Sequence, residues 1–489
     1  MTVVWFQLLP LALVVGLLAA RRGALLSGAA GLATTTVMVL STSSLGGAAL
    51  VEQMLRGAWL AWHAIAVLVA GTFFQRGLEA VRAPTGAEGS EAGARPFRSE
   101  SFNYRAAYFA CFLVGPFAES ATGFGVGYVI ALSLLLRMGV PGLAAVVLGL
   151  FSQILVPWGA LAVGTKIGAH LAGLPEAALG AGSALATIPL LCGHLACFWW
   201  LLHRFSLPVP RAAAVEDIGW TAATAGMLLL ANLLLAVDIA AIAALGPLLV
   251  LRYVRDVRPS RRRLIADIRA NAGYIALATV LLGSRLIPGL EAILWAGPVL
   301  RPFDGELPFP IFLNPSLWLL AVPLALFVAS GRLGRLPETV RASLGLAWRP
   351  AAVTLLFVVM AHLFAASGMA ADLATSFHGA VGTLAIVATP AFAGLAGALT
   401  GSNTGSNGIM MPIQSALATR VAVDGAWMAS LQNTVGSAFT MLSPIRISLG
   451  CALVAAPGME GRVYRAGAVI GAVVLAIGTA LSMAALALR

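Results

Sequence analysis

The sequence predicts an all-α, polytopic membrane transporter of about 12–14 transmembrane helices, with two inverted repeats containing broken helices or re-entrant hairpins. Three observations predict this class. The 489 residues are 60% hydrophobic and only 10% charged, with mean hydropathy +0.93, whereas soluble chains carry about 25% charged residues. Apolar runs long enough to span a bilayer recur along nearly the whole chain. Two of the most apolar regions, 115–127 and 398–447, are nevertheless crowded with Gly, Ser, Thr and Asn. Hydrocarbon penalises unsatisfied backbone polar groups, so such stretches must be buried in protein or line a wet cavity.

The first apolar run, Val3 to Ala20, has no basic residue before it and is followed by Arg21 and Arg22. The expectation is a retained first helix with an external N-terminus, not a cleaved signal peptide. Further helices are expected near 24–42 and 57–75. A polar, arginine-bearing loop follows over 76–104, with Arg76, Arg82, Arg95, Arg98 and Arg105. The run from Ala106 to Leu136 exceeds one span and is interrupted by GPFAESATGFG. Residues 143–170 are interrupted at Pro157-Trp158-Gly159, and a span covers 178–202. Helices near 218–236 and 238–252 lead to the most basic loop, with Arg252, Arg255, Arg258, Arg261, Arg262, Arg263 and Arg269. This loop reads as a topology determinant, or as a patch for anionic lipid headgroups. A helix at 271–287 enters a stretch with Glu291, Asp304 and Glu306, expected outside. Spans follow at 314–330 and 350–367, and a last helix at 466–488.

The net charge of +11 comes almost wholly from arginine, with Lys166 the one lysine. These charges sit in inter-helix loops, which argues for membrane topology and against nucleic-acid binding. Cys111, Cys192, Cys197 and Cys451 lie in apolar runs without metal spacing, and the histidines are scattered. No metal site, cofactor or catalytic set is expected, so the chain does not read as an enzyme.

The two polar stretches resemble each other. Ser120-Ala121-Thr122-Gly123 lines up with Ser402-Asn403-Thr404-Gly405. Each is followed by a second polar break, Ser152-Gln153 with Pro157-Trp158-Gly159, and Gln432-Asn433-Thr434 with Gly436 and Ser443-Pro444. Internal repeats with broken helices point to a secondary transporter whose site lies near the membrane midplane. The expected organisation is N-terminal helices over 1–56, a first repeat over 57–203, connecting helices over 204–349 and a second repeat over 350–489.

Glu119 is a carboxyl at bilayer depth, which costs roughly 2.5–3.5 kcal/mol even on lenient scales. It reads as a proton carrier or coupling-ion ligand, or as a structural carboxyl that caps a helix or pairs with arginine. Arg446 could hold a substrate carboxylate by a two-pronged contact, pair with Glu119, or reach water. Ser120, Thr122, Gly123, Ser402, Asn403, Thr404, Asn407, Gln432, Asn433, Ser443 and Lys166 complete the candidate substrate site. Half-helix N-termini there favour anions. The alternative for the small polar residues is close helix packing.

At these stretches the chain resembles the L-lactate permease family. GPFAESATGFG at 115–125 is similar to that family's GAFLEGAAGFG, with Glu119 on its glutamate. TGSNTGSN at 400–407 is similar to its TGSDTSSN, and NTVGSAFTMLSPIR at 433–446 to its NTTGGVTGKMISPQS. The chain departs from the pattern inside the site: Asn403 replaces an aspartate, Thr440 a lysine, and Ile445-Arg446 a Gln-Ser pair. The resemblance implies symport of lactate, glycolate or a similar 2-hydroxy monocarboxylate with protons. Ser402-Asn403-Thr404 also resembles the signature of sodium-coupled dicarboxylate carriers. The expected partners are a small organic anion and the bilayer of the cell's inner or plasma membrane, with a homo-oligomer left open. The rivals are a sodium-coupled carrier of a dicarboxylate and a passive anion channel or exporter.

Overall fold

The structure is a computed structural model that describes residues 6–42, 45–82 and 102–489. The first residues of the expected first helix lie outside the described residues, as do Arg95 and Arg98 of the 76–104 loop. The described residues are almost entirely helical. Three helices lead: α1 (Leu9–Ala19), α2 (Ala24–Thr42) and the long α3 (Gly47–Arg82). Among the described residues, nine helices are long and apolar enough to cross a membrane, or up to 11 when each of two bent pairs counts as one span. Three shorter apolar helices join them, so the chain is a polytopic helical membrane protein.

The first repeat is built around two breaks. α4 (Tyr104–Tyr108) passes through a π-helical stretch, Phe109–Val114, into α5 (Gly115–Thr122). α5 stops where Gly123, Phe124 and Gly125 all take positive φ, at 73°, 57° and 82°. Only glycine adopts that region at little cost. α6 (Val126–Arg137) then folds back, so close that a side chain on Gly127 would stand 2.1 Å from the Gly115 carbonyl. α7 (Gly142–Gly149) tightens into a 3₁₀ turn, breaks around Pro157, and resumes as α8 (Gly159–Ala172), followed by α9 (Glu176–Arg204).

After α10 (Arg211–Leu234) and α11 (Val237–Val257), α12 (Arg261–Ala270) and α13 (Ala272–Leu286) meet at a 74° bend. A short α14 (Leu290–Trp295) and a two-stranded ribbon, β1 (Val299–Leu300) with β2 (Phe309–Pro310), precede α15 (Pro315–Ala329) and α16 (Leu336–Ala366). α17 (Met369–Val381) then opens the second broken set: α18 (Ala385–Thr400), α19 (Asn403–Val421), α20 (Gly425–Phe439), α21 (Pro444–Leu453) and α22 (Glu460–Ala487).

The order of the first set is thus repeated. α5 and α6 answer to α18 and α19, with Gly123 answering to Gly401, which also has positive φ at 63°. α7, α8 and α9 answer to α20, α21 and α22. This shifts the expected alignment: Thr122-Gly123 matches Thr400-Gly401, not Thr404-Gly405. The second break of the later set also moves. Gln432-Asn433-Thr434 lies inside the unbroken α20, because no proline interrupts its ladder and Gly436 stays helical before the turn Thr440–Leu442 and Ser443.

α3 and α16 pack antiparallel. Gln53 at the start of α3 bonds His362 near the end of α16, while Arg335 just before α16 donates to the Ala80 carbonyl near the end of α3. The two helices that precede the broken sets therefore point in opposite directions, as inverted repeats require. Both are longer than expected. α3 runs through the expected 56/57 division and α16 through 349/350, so each repeat keeps its long helix whole. Arg76 and Arg82 consequently stand on α3, not in a loop. Arg252 is likewise helical and fully buried, 3.2 Å from Asp217, with Tyr108 and Trp220 against its guanidinium.

Candidate functional site

A cavity of about 570 Å³ lies where the broken sets meet. The break after α5 lines it through Glu119, Gly123 and Phe124, and the start of α8 through Gly159, Ala160, Val163 and Gly164. The break after α18 contributes Thr400 to Gly405, and α21 contributes Ile445, Arg446 and Leu449. α16 closes the remaining wall. One end of the cavity meets exposed residues around Gly23 and Trp348–Pro350. These lie toward the end of the molecule that carries Arg21, Arg22, Arg332 and Arg335.

Glu119 and Arg446 face each other across the cavity. Arg446 Nη2 is 3.6 Å from Glu119 Oε1, and both side chains are almost fully buried. That distance is an ion pair but not a hydrogen bond. Arg446 Nη1 donates to Thr440 Oγ1. A guanidinium has five N–H donors, so the group retains capacity for a ligand. Both Glu119 oxygens accept from backbone, from Gly125 N–H at 3.1 Å and Gly127 N–H at 3.2 Å. These are among the first amides at the start of α6, which have no partner inside their own helix. Glu119 therefore closes the break that its own helix opens. The structural expectations for it, cap and arginine partner, are both seen.

The second half of the site is a helix start. Gly401 turns the chain, and Ser402 caps α19 by accepting from the Gly405 N–H at 3.3 Å. The positive end of this half-helix faces the cavity. Asn403 sits at its mouth. Its Nδ2 donates to Asn433 Oδ1 at 2.9 Å, while its own Oδ1 is buried without a hydrogen-bond partner. At the start of α8 three consecutive residues, Ala160, Leu161 and Ala162, have φ of 49°, 56° and 56°. Each left-handed non-glycine residue costs about 1–2 kcal/mol. Thr165 Oγ1 bonds the Pro157 carbonyl across this turn at 2.5 Å.

The remaining expected residues fall behind the wall. Asn433 Oδ1 accepts from Asn403 and from Asn407 at 2.8 Å, and its Nδ2 donates to Thr165 Oγ1 and to Ser183 Oγ, each at 2.9 Å. Gln432 Nε2 donates to Ser406 Oγ at 3.1 Å. Asn407, Gln432 and Asn433 thus form a buried network joining α8, α9, α19 and α20. Ser120 and Thr122 turn back onto the carbonyls of Pro116 and Ala118. Ser443 packs under Gly401 and caps α21. Lys166 faces away from the cavity, 3.4 Å from Glu176 and 3.7 Å from Asp238. Its place in a substrate site is therefore corrected: α8 turns Thr165 inward and Lys166 outward.

Residues 292–488 match the L-lactate permease family. Over this segment the chain is similar to L-lactate permeases. No curated protein matches the chain. The matched segment contains α15 to α22, and so Ser402, Asn403 and Arg446 with the whole second broken set. Glu119 and α8 lie outside the match and join the site through the fold. The family is one of transporters, which accords with helices broken around a central cavity. The departures noted in the sequence acquire geometry here. Thr440 stands at the family's lysine position, and the Arg446 guanidinium reaches the Thr440 oxygen.

Reading from sequence missed Trp348, Arg349, Thr354 and Phe357, which line the cavity from α16. They lie in an apolar helix with no motif, and only its packing against α19 brings them there. It also missed that His170, Glu306 and His362 converge, since their spacing along the chain carries no signal.

Proposed function

We propose that the protein is a proton-coupled carrier of a small 2-hydroxy monocarboxylate such as lactate or glycolate, in the inner or plasma membrane. The observation that carries this reading is the opposed pair, Glu119 and Arg446, at the crossing of two broken helices in one cavity. A carboxylate substrate needs a cation, and Arg446 with the α19 N-terminus offers one. The substrate hydroxyl has a partner in the unpaired Asn403 Oδ1.

The pair also supplies a coupling rule. While Glu119 is ionised, it competes with the substrate for Arg446. A proton on Glu119 removes the competitor, so proton and anion favour each other's binding, and the effect is reciprocal. Symport also removes an electrical penalty, about 2.3 kcal/mol for one negative charge moved inward against 100 mV. Arg21 and Arg22 support an external N-terminus. The cavity then opens inward, and the acidic end, with Glu176, Asp238, Glu291 and Glu306, is closed toward the exterior.

Asn403 Oδ1 also supports a second reading, because an unpaired buried carbonyl suits sodium as well as a hydroxyl. Uptake of labelled lactate into proteoliposomes separates the two. Accumulation driven by an inward proton gradient, without sodium, is expected. Accumulation that follows a sodium gradient and ignores pH would replace proton coupling with the sodium reading.

A further inference from the structure

We infer that the acidic end of the molecule carries a transition-metal site formed by His170, Glu306 and His362. His170 is in the last turn of α8, Glu306 is in the loop between β1 and β2, and His362 is near the end of α16. One ligand atom from each lies within 4.8 Å of the others, and His170 Nε2 is 2.8 Å from Glu306 Oε2. Two imidazoles and a carboxylate are a zinc ligand set that leaves a fourth position open. With metal–ligand distances of about 2.0–2.2 Å, tetrahedral donors stand about 3.4 Å apart. The widest pair must therefore close by up to about 1.4 Å, a side-chain movement.

The surroundings support ligands more than a plain surface ion pair. Glu306 is 7% exposed and His170 19%. The second Glu306 oxygen is 3.5 Å from Arg56, which is itself held by Glu52 at 2.8 Å and by the Asp304 carbonyl. Gln53 Oε1 is 3.0 Å from His362 Nε2 and fixes that ring. Such outer contacts orient metal ligands. The charge of Arg56 is offset by Glu52, so a divalent cation would not meet an uncompensated positive group.

The position gives the site a consequence. His170 ends the helix whose start lines the cavity, and His362 lies further along the helix whose Trp348–Phe357 segment forms the opposite wall. At 1.5 Å rise per residue, each ligand is on the order of 10–20 Å from the cavity lining on its own helix. A bound ion would tie α8, α16 and the β1–β2 loop together and hold the acidic end shut. The ion is thus a clamp on transport, and this second part rests on the transport reading, whereas metal binding does not.

The test uses the full-length protein, purified in detergent with any affinity tag removed. Zinc chloride titrated by calorimetry should bind at one ion per chain and raise the thermal transition. Cobalt(II) in its place should give the visible absorption of a tetrahedral site. His170→Ala and His362→Gln should each weaken zinc binding at least about tenfold. His203→Ala, an exposed histidine away from the cluster, should leave it unchanged. If the wild type binds no zinc, or if both cluster variants bind it as the wild type does, the site does not exist. Should one cluster variant fail to fold, the other and the cobalt spectrum still decide. In proteoliposomes, external zinc should block lactate uptake by the wild type and spare His362→Gln. Zinc that binds without slowing uptake would overturn the clamp alone. Absence of uptake without zinc would overturn the transport reading and leave the metal site standing.

Discussion

Glu119 and Arg446 should respond to mutation with opposite signs in substrate binding. At 3.6 Å and an effective dielectric of 20, their attraction is about 4–5 kcal/mol before desolvation. Desolvation of two buried ions cancels much of this. Coupling energies between contacting groups of about 0.5–3 kcal/mol remain. Glu119→Gln removes the competing charge while keeping an amide oxygen for the Gly125 or Gly127 N–H. The substrate should then gain about 1–2 kcal/mol of access to Arg446, a five- to thirtyfold tighter Kd. Arg446→Ala removes the substrate's cation and should cost at least about 2 kcal/mol, or about thirtyfold in Kd. Calorimetric titration of lactate into each purified variant measures both. In proteoliposomes, Glu119→Gln should still exchange internal for external lactate but should not accumulate it on a proton gradient. Weaker binding in both variants would refute the competition for Arg446, and unchanged pH-driven accumulation in Glu119→Gln would remove it as the proton carrier.

Gly397→Ala should abolish stable folding, because its new methyl carbon would stand 1.9 Å from the Gly436 carbonyl on the facing helix. Gly379→Ala on α17 meets nothing within 4 Å and should be neutral in a thermal melt. Asn433→Ala strips an acceptor from Asn403 and Asn407, and a donor from Thr165 and Ser183. Asn407 and Thr165 keep carbonyl partners in Gly164 and Pro157, so the cost is one stranded amide, about 1–3 kcal/mol, read as a lower Tm. Ser402→Ala should cost about 1 kcal/mol through the lost cap of α19, and an unchanged Tm would show that the cap is idle.

Much of this fold is legible in the sequence because hydrocarbon imposes blunt rules. Helix ends at Thr42, Arg204, Leu286 and Ala329 follow from where apolar runs meet charge, proline or glycine. The breaks at Gly123 and Pro157 are legible for the same reason, since glycine-rich polar letters have no place in a plain span. The repeat is legible as a pattern but not in register. Serine, threonine and asparagine look alike in composition, and only the positive φ at Gly401 shows which glycine turns the chain. Depth misled the reading of Lys166, because a one-residue step along α8 rotates a side chain by about 100°. Thr165 enters the central network while its neighbour leaves it. Glu119 and Arg446 could be named from their cost in a membrane and their pairing stands among the alternatives, but it spans most of the chain and no spacing selects it. The His170–Glu306–His362 cluster shows the same limit. It draws on three elements, and its spacing in sequence carries no periodic signal.

The central claim is that a proton accompanies each anion. The most direct measurement follows labelled lactate and internal pH together in proteoliposomes with the membrane voltage clamped at zero. Internal acidification at one proton per lactate is expected, absent from protein-free vesicles and from Glu119→Gln. Lactate that enters through the protein with no proton would contradict it.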